Sequence, residues 1–325
     1  MKSAGSRATV QEQLPPSNAK KLLACLSYGS VSVSITLFNK AVFSVYGFHY
    51  PNFVTTLQIV VSILYMHMLK RIGVFQFSSL TARGAKQILP LVFCWWLYVV
   101  SGVTALRYLT VPMFSVFRRS TTLIVVVGEY FMFRKLPSKS CMGAIVIMLS
   151  GALIAGATDL TYSLPGYIWV TICAISTAMY LLLIRALKDS TGLTESSLLY
   201  HNNVLSLPIM ASYMLIATNE VQTVQEYPQL NNIWFLMFLG ISASQAFLLN
   251  LCIFRCTTIN SPLATTITGQ MKDIVTTGLG MILFGDVQFS SKNLFGISVG
   301  LLGGMLYSFF GYMERQRQKR QQNKV

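Results

Sequence analysis

Ten stretches of mostly apolar residues, each about as long as a bilayer is thick, run through this 325-residue chain and leave room for little else. They fall at about 23 to 45, 53 to 69, 87 to 106, 113 to 133, 141 to 157, 165 to 184, 198 to 217, 233 to 254, 262 to 284 and 293 to 312, separated by turn residues or charge clusters. A helix needs about 20 predominantly apolar residues to cross the hydrocarbon core, and only helices or closed barrels satisfy their own backbone there. The pattern predicts an all-α integral membrane protein with a ten-helix region, 22–312, between a polar tail, 1–21, and a basic tail, 313–325. Asp, Glu, Lys and Arg make up 11% of the residues, against about 25% in soluble domains. That scarcity excludes a water-soluble enzyme, a disordered chain and a disulfide-stapled secreted module. The first 21 residues are polar, contain Pro15 and Pro16 and lack a signal-peptide core, so insertion is expected through the first span.

A net charge of +15 would suggest a nucleic-acid partner in a soluble chain, but here the basic residues sort by loop. Assigning alternate loops to opposite sides places 19 Lys and Arg on the side of both tails. The other side receives only Arg107 and Lys292, together with Asp159, Glu220, Glu226 and Asp286. Cytosolic loops are enriched in Lys and Arg, so both termini are expected in the cytosol and no nucleic acid is implied. The six cysteines all lie in or beside apolar stretches, and Cys252 and Cys256 share a helical face with no nearby His. They read as small hydrophobes rather than metal ligands, and no metal or other cofactor is expected.

The second half echoes the first: Arg107 then Pro112 leads into span four, as Arg255 then Pro262 leads into span nine, and each of these spans carries adjacent charges midway. A duplicated five-span unit has an odd number of crossings, so its second copy must insert upside down. Two inverted repeats, about 22–160 and 161–312, are therefore expected, with a binding site at the midplane between them.

Four cations fall inside the spans: Lys40 near the lumenal end of span one, Arg118 and Arg119 in span four, and Lys272 in span nine. Each costs about 2.5 to 3.5 kcal/mol at a helix centre on insertion scales, so each needs a partner, water or a ligand. Only Glu129 and Asp273 offer negative charge within the spans, and the surplus of cations invites an anionic ligand. On span nine, Thr265, Gly269, Lys272 and Thr276 form one helical stripe, with Gly269 allowing close approach beside Lys272. On span four, Ser115, Arg118 or Arg119, and Thr122 form a similar stripe. Adjacent arginines point about 100° apart on a helix of 3.6 residues per turn, so one can bind while the other braces. The competing reading pairs these cations with Asp273 and Glu129 as interhelical struts. Tyr200, His201, Asn202 and Asn203 open span seven, where the amides could hydrogen-bond a base or sugar edge or simply link neighbouring helices. Gly296, Gly300 and Gly304 suit close helix packing or a homodimer.

Four ordered motifs now matter together: Leu37-Phe38-Asn39-Lys40 followed by Tyr46-Gly47-Phe48; Val111-Pro112-Met113 leading to Arg118-Arg119; Gly151 to Ala157 ending in Asp159-Leu160; and Asn260-Ser261 through Thr265-Thr266 to Gly269-Gln270-Met271-Lys272-Asp273. Across residues 22–312 the chain resembles the nucleotide-sugar transporters of the drug/metabolite transporter superfamily, most closely the UDP-N-acetylglucosamine and UDP-sugar subgroup. The resemblance implies a Golgi or endoplasmic reticulum antiporter that brings a UDP-sugar, such as UDP-N-acetylglucosamine or UDP-N-acetylgalactosamine, into the lumen in exchange for UMP. It also implies that Asn202 and Asn203 face base or ribose and that Lys272 with a span-four arginine meets the diphosphate. The stretch Tyr200-His201-Asn202-Asn203 resembles the Phe-Tyr-Asn-Asn motif of GDP-mannose transporters, but their Gly-Ala-Leu-Asn-Lys motif is not reproduced. An intramembrane transferase would need a carboxylate pair, a His cluster or an acidic metal site. No Asp-x-Asp pair occurs among the ten acids.

Overall fold

A computed structural model describes residues 17–77, 81–109, 114, 117–156, 163–284 and 291–322. Among these residues there is no strand, and ten helices of 13 residues or more occupy the ten apolar stretches. They are α1 (Asn18–Lys40), α2 (Pro51–Arg71), α3 (Ala82–Ala105), α4 (Thr121–Phe133), α5 (Lys139–Gly156), α6 (Leu164–Thr191), α7 (Glu195–Ala217), α8 (Ile233–Ile259), α9 (Pro262–Phe284) and α10 (Ser291–Gln322). The chain punctuates these runs with polar caps. Ser17, Thr81, Ser163, Thr194 and Asn232 each accept a backbone N–H of the first turn of their helix, satisfying donors that the helix itself leaves unpaired. Gly192 ends α6 in the left-handed region, at φ 66°.

Large apolar side chains face outward as well as inward, and the interior holds polar groups among its apolar clusters. Leu22, Leu26, Phe131, Leu153, Trp234 and Phe309 point outward, whereas Ser101, Thr122, Asn202, Asn203, Ser242 and Thr257 are buried. Among the described residues, five helical segments, 18–43, 51–71, 82–105, 164–191 and 233–259, are long and apolar enough to cross a bilayer. An apolar perimeter on long apolar helices is what lipid solvation selects, and the protein is an α-helical, multi-pass membrane protein.

Three bodies can be distinguished from which helices pack on which. In one, α1 and α2 pack on α8; in another, α6 and α7 pack on α3; the third is two pairs, α5 on α10 and α4 with α9, and α4 and α9 pack more extensively on α6 and α1 than on each other. Exchanging each helix for the one five positions along the order converts the first body into the second and returns the third to itself. The α5–α10 seam is the closest: a Cβ added to Gly151 would lie 2.3 Å from the backbone nitrogen of Gly300 and 2.7 Å from the carbonyl oxygen of Gly296. The glycine run read as a packing surface is used within the chain.

Two helices depart from the expected regular spans. Span four carries a turn residue, Ser120, whose hydroxyl donates to the Phe117 carbonyl at 2.5 Å. Span one runs into a π-helical turn, Ala41–Val45, followed by Gly47 at φ 66°. At its far end α10 continues to Gln322, so part of the region expected as a tail is helical. Val111, Pro112, Met113, Ser115, Asp159, Leu160 and Asp286 lie outside the described residues, as do the side chains of Lys40, Thr276 and Lys292.

Candidate functional site

The three bodies meet around a cavity of about 150 Å³. Its α9 wall is the stripe expected from sequence: Thr265, Gly269 and Lys272 line it, joined by Asp273. Gly269 has a specific steric role, since a Cβ there would stand 2.9 Å from the Tyr28 hydroxyl, which reaches over from α1. Facing α9, both Arg118 and Arg119 line the cavity. The expectation that adjacent arginines divide their roles rested on a regular helix through this stretch. Residues 117–119 are helical and Ser120 keeps right-handed helical angles, φ −60° and ψ −21°, and both arginines line the cavity.

The electrostatics separate the two readings of the charges. Lys272 Nζ lies 2.9 Å from Asp273 Oδ1, but the two are neighbours on α9, so this ion pair is not the interhelical strut of the competing reading. Glu129 does something else. Its Oε1 accepts the Leu263 backbone N–H at 3.0 Å, in the first turn of α9, where a carboxylate also meets the positive end of the helix dipole. Glu129 is therefore engaged at a helix terminus rather than offered as the arginines' strut. Among the described lining residues three cations face one acid, leaving two positive charges in surplus.

Unpaired polar atoms lie in the same place. Arg119 Nη1, Thr121 Oγ1, Tyr180 OH and Gln270 Oε1 are shielded from solvent and have no hydrogen-bond partner among the described residues. All four residues line the cavity. The other end of Gln270 is held, because its Nε2 donates to the Arg119 carbonyl at 3.2 Å and to the Thr122 hydroxyl. A buried unpaired group costs about 1 to 3 kcal/mol, so the cavity is prepared for a ligand that both accepts, from Arg119 Nη1, and donates, to Gln270 Oε1.

Not every expected residue converges there. Tyr200 stacks on Phe77 with ring centroids 4.1 Å apart, and its hydroxyl lies 3.4 Å from His67 Nε2, away from the cavity. Asn202 and Asn203 are buried on α7 and do not line the cavity, and Asn202 Oδ1 and Asn203 Nδ2 have no partner among the described residues. Lys40 closes α1, and its side chain lies outside the described residues. Sequence reasoning missed Tyr28, Tyr98, Thr177 and Tyr180 as lining residues. Aromatic residues inside apolar spans read as packing, and no periodic signal marked these tyrosines.

A multi-pass helical bundle with a charged central cavity defines a membrane transporter by class. The chain belongs to the triose-phosphate transporter family, whose profile matches residues 19–308. It is 34% identical over 304 residues to the UDP-N-acetylglucosamine transporter UGNT1 of Arabidopsis thaliana, covering 90% of this chain and 88% of that protein. To the GDP-mannose transporter 1 of Cryptococcus neoformans it is 24% identical over 321 residues, covering 90% of this chain and 81% of that one. A solved crystal structure superposes with a TM-score of 0.65 at 12% identity, covering 90% of this chain and 98% of the other, which fixes the fold as shared. The match agrees with the resemblance read from the motifs: this is a transporter and not an enzyme.

Proposed function

We propose that the protein is a nucleotide-sugar antiporter that carries a UDP-sugar, UDP-N-acetylglucosamine or UDP-N-acetylgalactosamine, from the cytosol into the Golgi or endoplasmic reticulum lumen in exchange for UMP. One observation carries the reading: Arg118, Arg119 and Lys272 face a single acid, Asp273, in a central cavity whose remaining polar atoms are partly unpaired. Phosphates supply the negative charge and the acceptors that such a wall lacks. The similarity to a UDP-N-acetylglucosamine transporter over nine tenths of the chain supports the UDP-sugar assignment.

All ten long helices cross the membrane in this reading, with both termini cytosolic, as the 19-to-2 division of loop cations favours. The interchange of the α1–α2–α8 and α6–α7–α3 bodies under a five-helix shift supports two inverted repeats. The cavity is smaller than the roughly 300 Å³ at the lower end of ligand pockets, so the two related bodies must part on one side or the other to admit a nucleotide sugar. An empty cation-lined cavity reorients reluctantly because nothing neutralises it, and a bound phosphate lowers that cost in both directions, which favours obligate exchange. The glycine run on α10 is occupied by α5, so a homodimer in this reading uses another surface.

Purified protein in liposomes loaded with UDP-N-acetylglucosamine tests the assignment. External UMP should drive exchange, and GMP should do so at least about tenfold less well, because a wrong base strands buried donors at about 1 to 3 kcal/mol each. The second reading, GDP-mannose exchanged for GMP, rests on Asn202 and Asn203. Stronger exchange with GMP than with UMP would establish it in place of the first.

A further inference from the structure

Tyr180 on α6 is a residue whose ring and hydroxyl need separate explanations. The ring packs between Tyr98 of α3, with centroids 5.6 Å apart at 41°, and Phe254 of α8, at 6.1 Å and 83°. Phenylalanine would fill that space equally well. The hydroxyl is the odd feature: Tyr180 is 2% exposed and lines the cavity, yet its oxygen has no hydrogen-bond partner among the described residues. A buried unpaired hydroxyl destabilises the folded protein, so its presence calls for a partner that is not part of the chain.

The lining residues around Tyr180 indicate what that partner is. The α4–α9 side of the cavity carries Arg118, Arg119 and Lys272, and phosphates belong there. The α3–α6 side is uncharged, made of Tyr98, Thr177 and Tyr180. It offers aromatic rings and a directional hydroxyl, a combination suited to a flat ring with polar edge atoms. Both exchanged species carry the nucleoside, base and ribose, and only one carries the transferred sugar, so a residue serving both directions of exchange is best matched to the nucleoside. Resting on the antiporter reading above, we infer that the Tyr180 hydroxyl is a specificity-determining group that hydrogen-bonds the nucleoside while the cationic wall holds the phosphates.

The test is binding of UMP and of inorganic pyrophosphate to the purified full-length protein, as wild type and as Tyr180→Phe. The substitution keeps the ring and its packing, and an unchanged thermal unfolding temperature verifies this. UMP affinity should fall about five- to tenfold, the loss of one neutral hydrogen bond, while pyrophosphate affinity stays within twofold of wild type, about 0.4 kcal/mol. Unchanged UMP affinity overturns the assignment. Equal weakening of both ligands also overturns it, because the substitution would then be acting on the cationic wall. If the wild type binds neither ligand, the antiporter reading fails and the assignment fails with it. If the wild type binds both and Tyr180→Phe is silent, only the role of Tyr180 is lost.

Discussion

Lys272→Ala and Asp273→Ala should move nucleotide binding in opposite directions, although the two residues form one ion pair. Arg118, Arg119 and Lys272 against Asp273 leave the described cavity wall with two surplus positive charges. Removing Lys272 lowers the surplus to one, removing Asp273 raises it to three, and removing both restores two. A unit charge about 5 Å from a phosphate charge is worth about 3 kcal/mol at an effective dielectric of about 20. Lys272 already shares its ammonium with Asp273 at 2.9 Å, and the two side chains are 14% and 32% exposed, so solvent screens part of the interaction. Allowing for both, Lys272→Ala should weaken UMP binding by about 1.5 to 3 kcal/mol, or roughly 10- to 100-fold, and reduce liposome exchange to background. Asp273→Ala should tighten binding about threefold or more and slow exchange, because a better-held nucleotide leaves later. The double variant should bind between the two single ones. Titrations at low and high salt supply the check, since the differences should shrink as ionic strength rises. If Asp273→Ala weakens UMP as much as Lys272→Ala does, the pair is a structural strut and the argument from surplus charge is wrong.

Two further outcomes follow from other parts of the structure. Glu129→Ala strands the Leu263 N–H that the carboxylate accepts at 3.0 Å; it should cost about 1 to 3 kcal/mol, read as a lower thermal unfolding temperature, whereas Glu129→Gln, which keeps an acceptor oxygen, should cost less. Epitope tags at Lys2 and Val325 should both be accessible after selective permeabilisation of the plasma membrane, as the loop cations require, and protection of either tag would refute the ten-span topology.

The helices were legible because a bilayer imposes one length and one polarity on every crossing. Each long helix lies where an apolar run was bounded by a capping residue, a glycine or charges. The α5–α10 seam was half legible. Gly296, Gly300 and Gly304 announced a close contact by their spacing of four, but the partner could not be named, because Gly151 lies far away in the sequence and nothing in its motif links it to span ten. The role of Glu129 was illegible for a related reason. Sequence offers its charge and its span, and the nearest cations in that span are Arg118 and Arg119, yet the acceptor that forms is set by where the first turn of α9 arrives from 134 residues further along.

The charged half of the cavity could be read from composition alone, since cations in a span are costly enough to need a reason. The neutral half could not. Tyrosine in an apolar span is ordinary packing unless its hydroxyl proves unpaired, and that is a property of the surrounding atoms. The asparagines show the converse: buried amides in a span carry a strong polar signal, yet Asn202 and Asn203 stand off the cavity in this conformation. The arginine pair lies between these cases. Helical periodicity places both residues in span four and points their Cα–Cβ bonds about 100° apart, and residues 117–119 are helical as that reading assumed. Both arginines nonetheless line the one cavity. A period counted at the backbone fixes where a side chain starts, and an arginine is long enough to reach a ligand space from the neighbouring face of its helix.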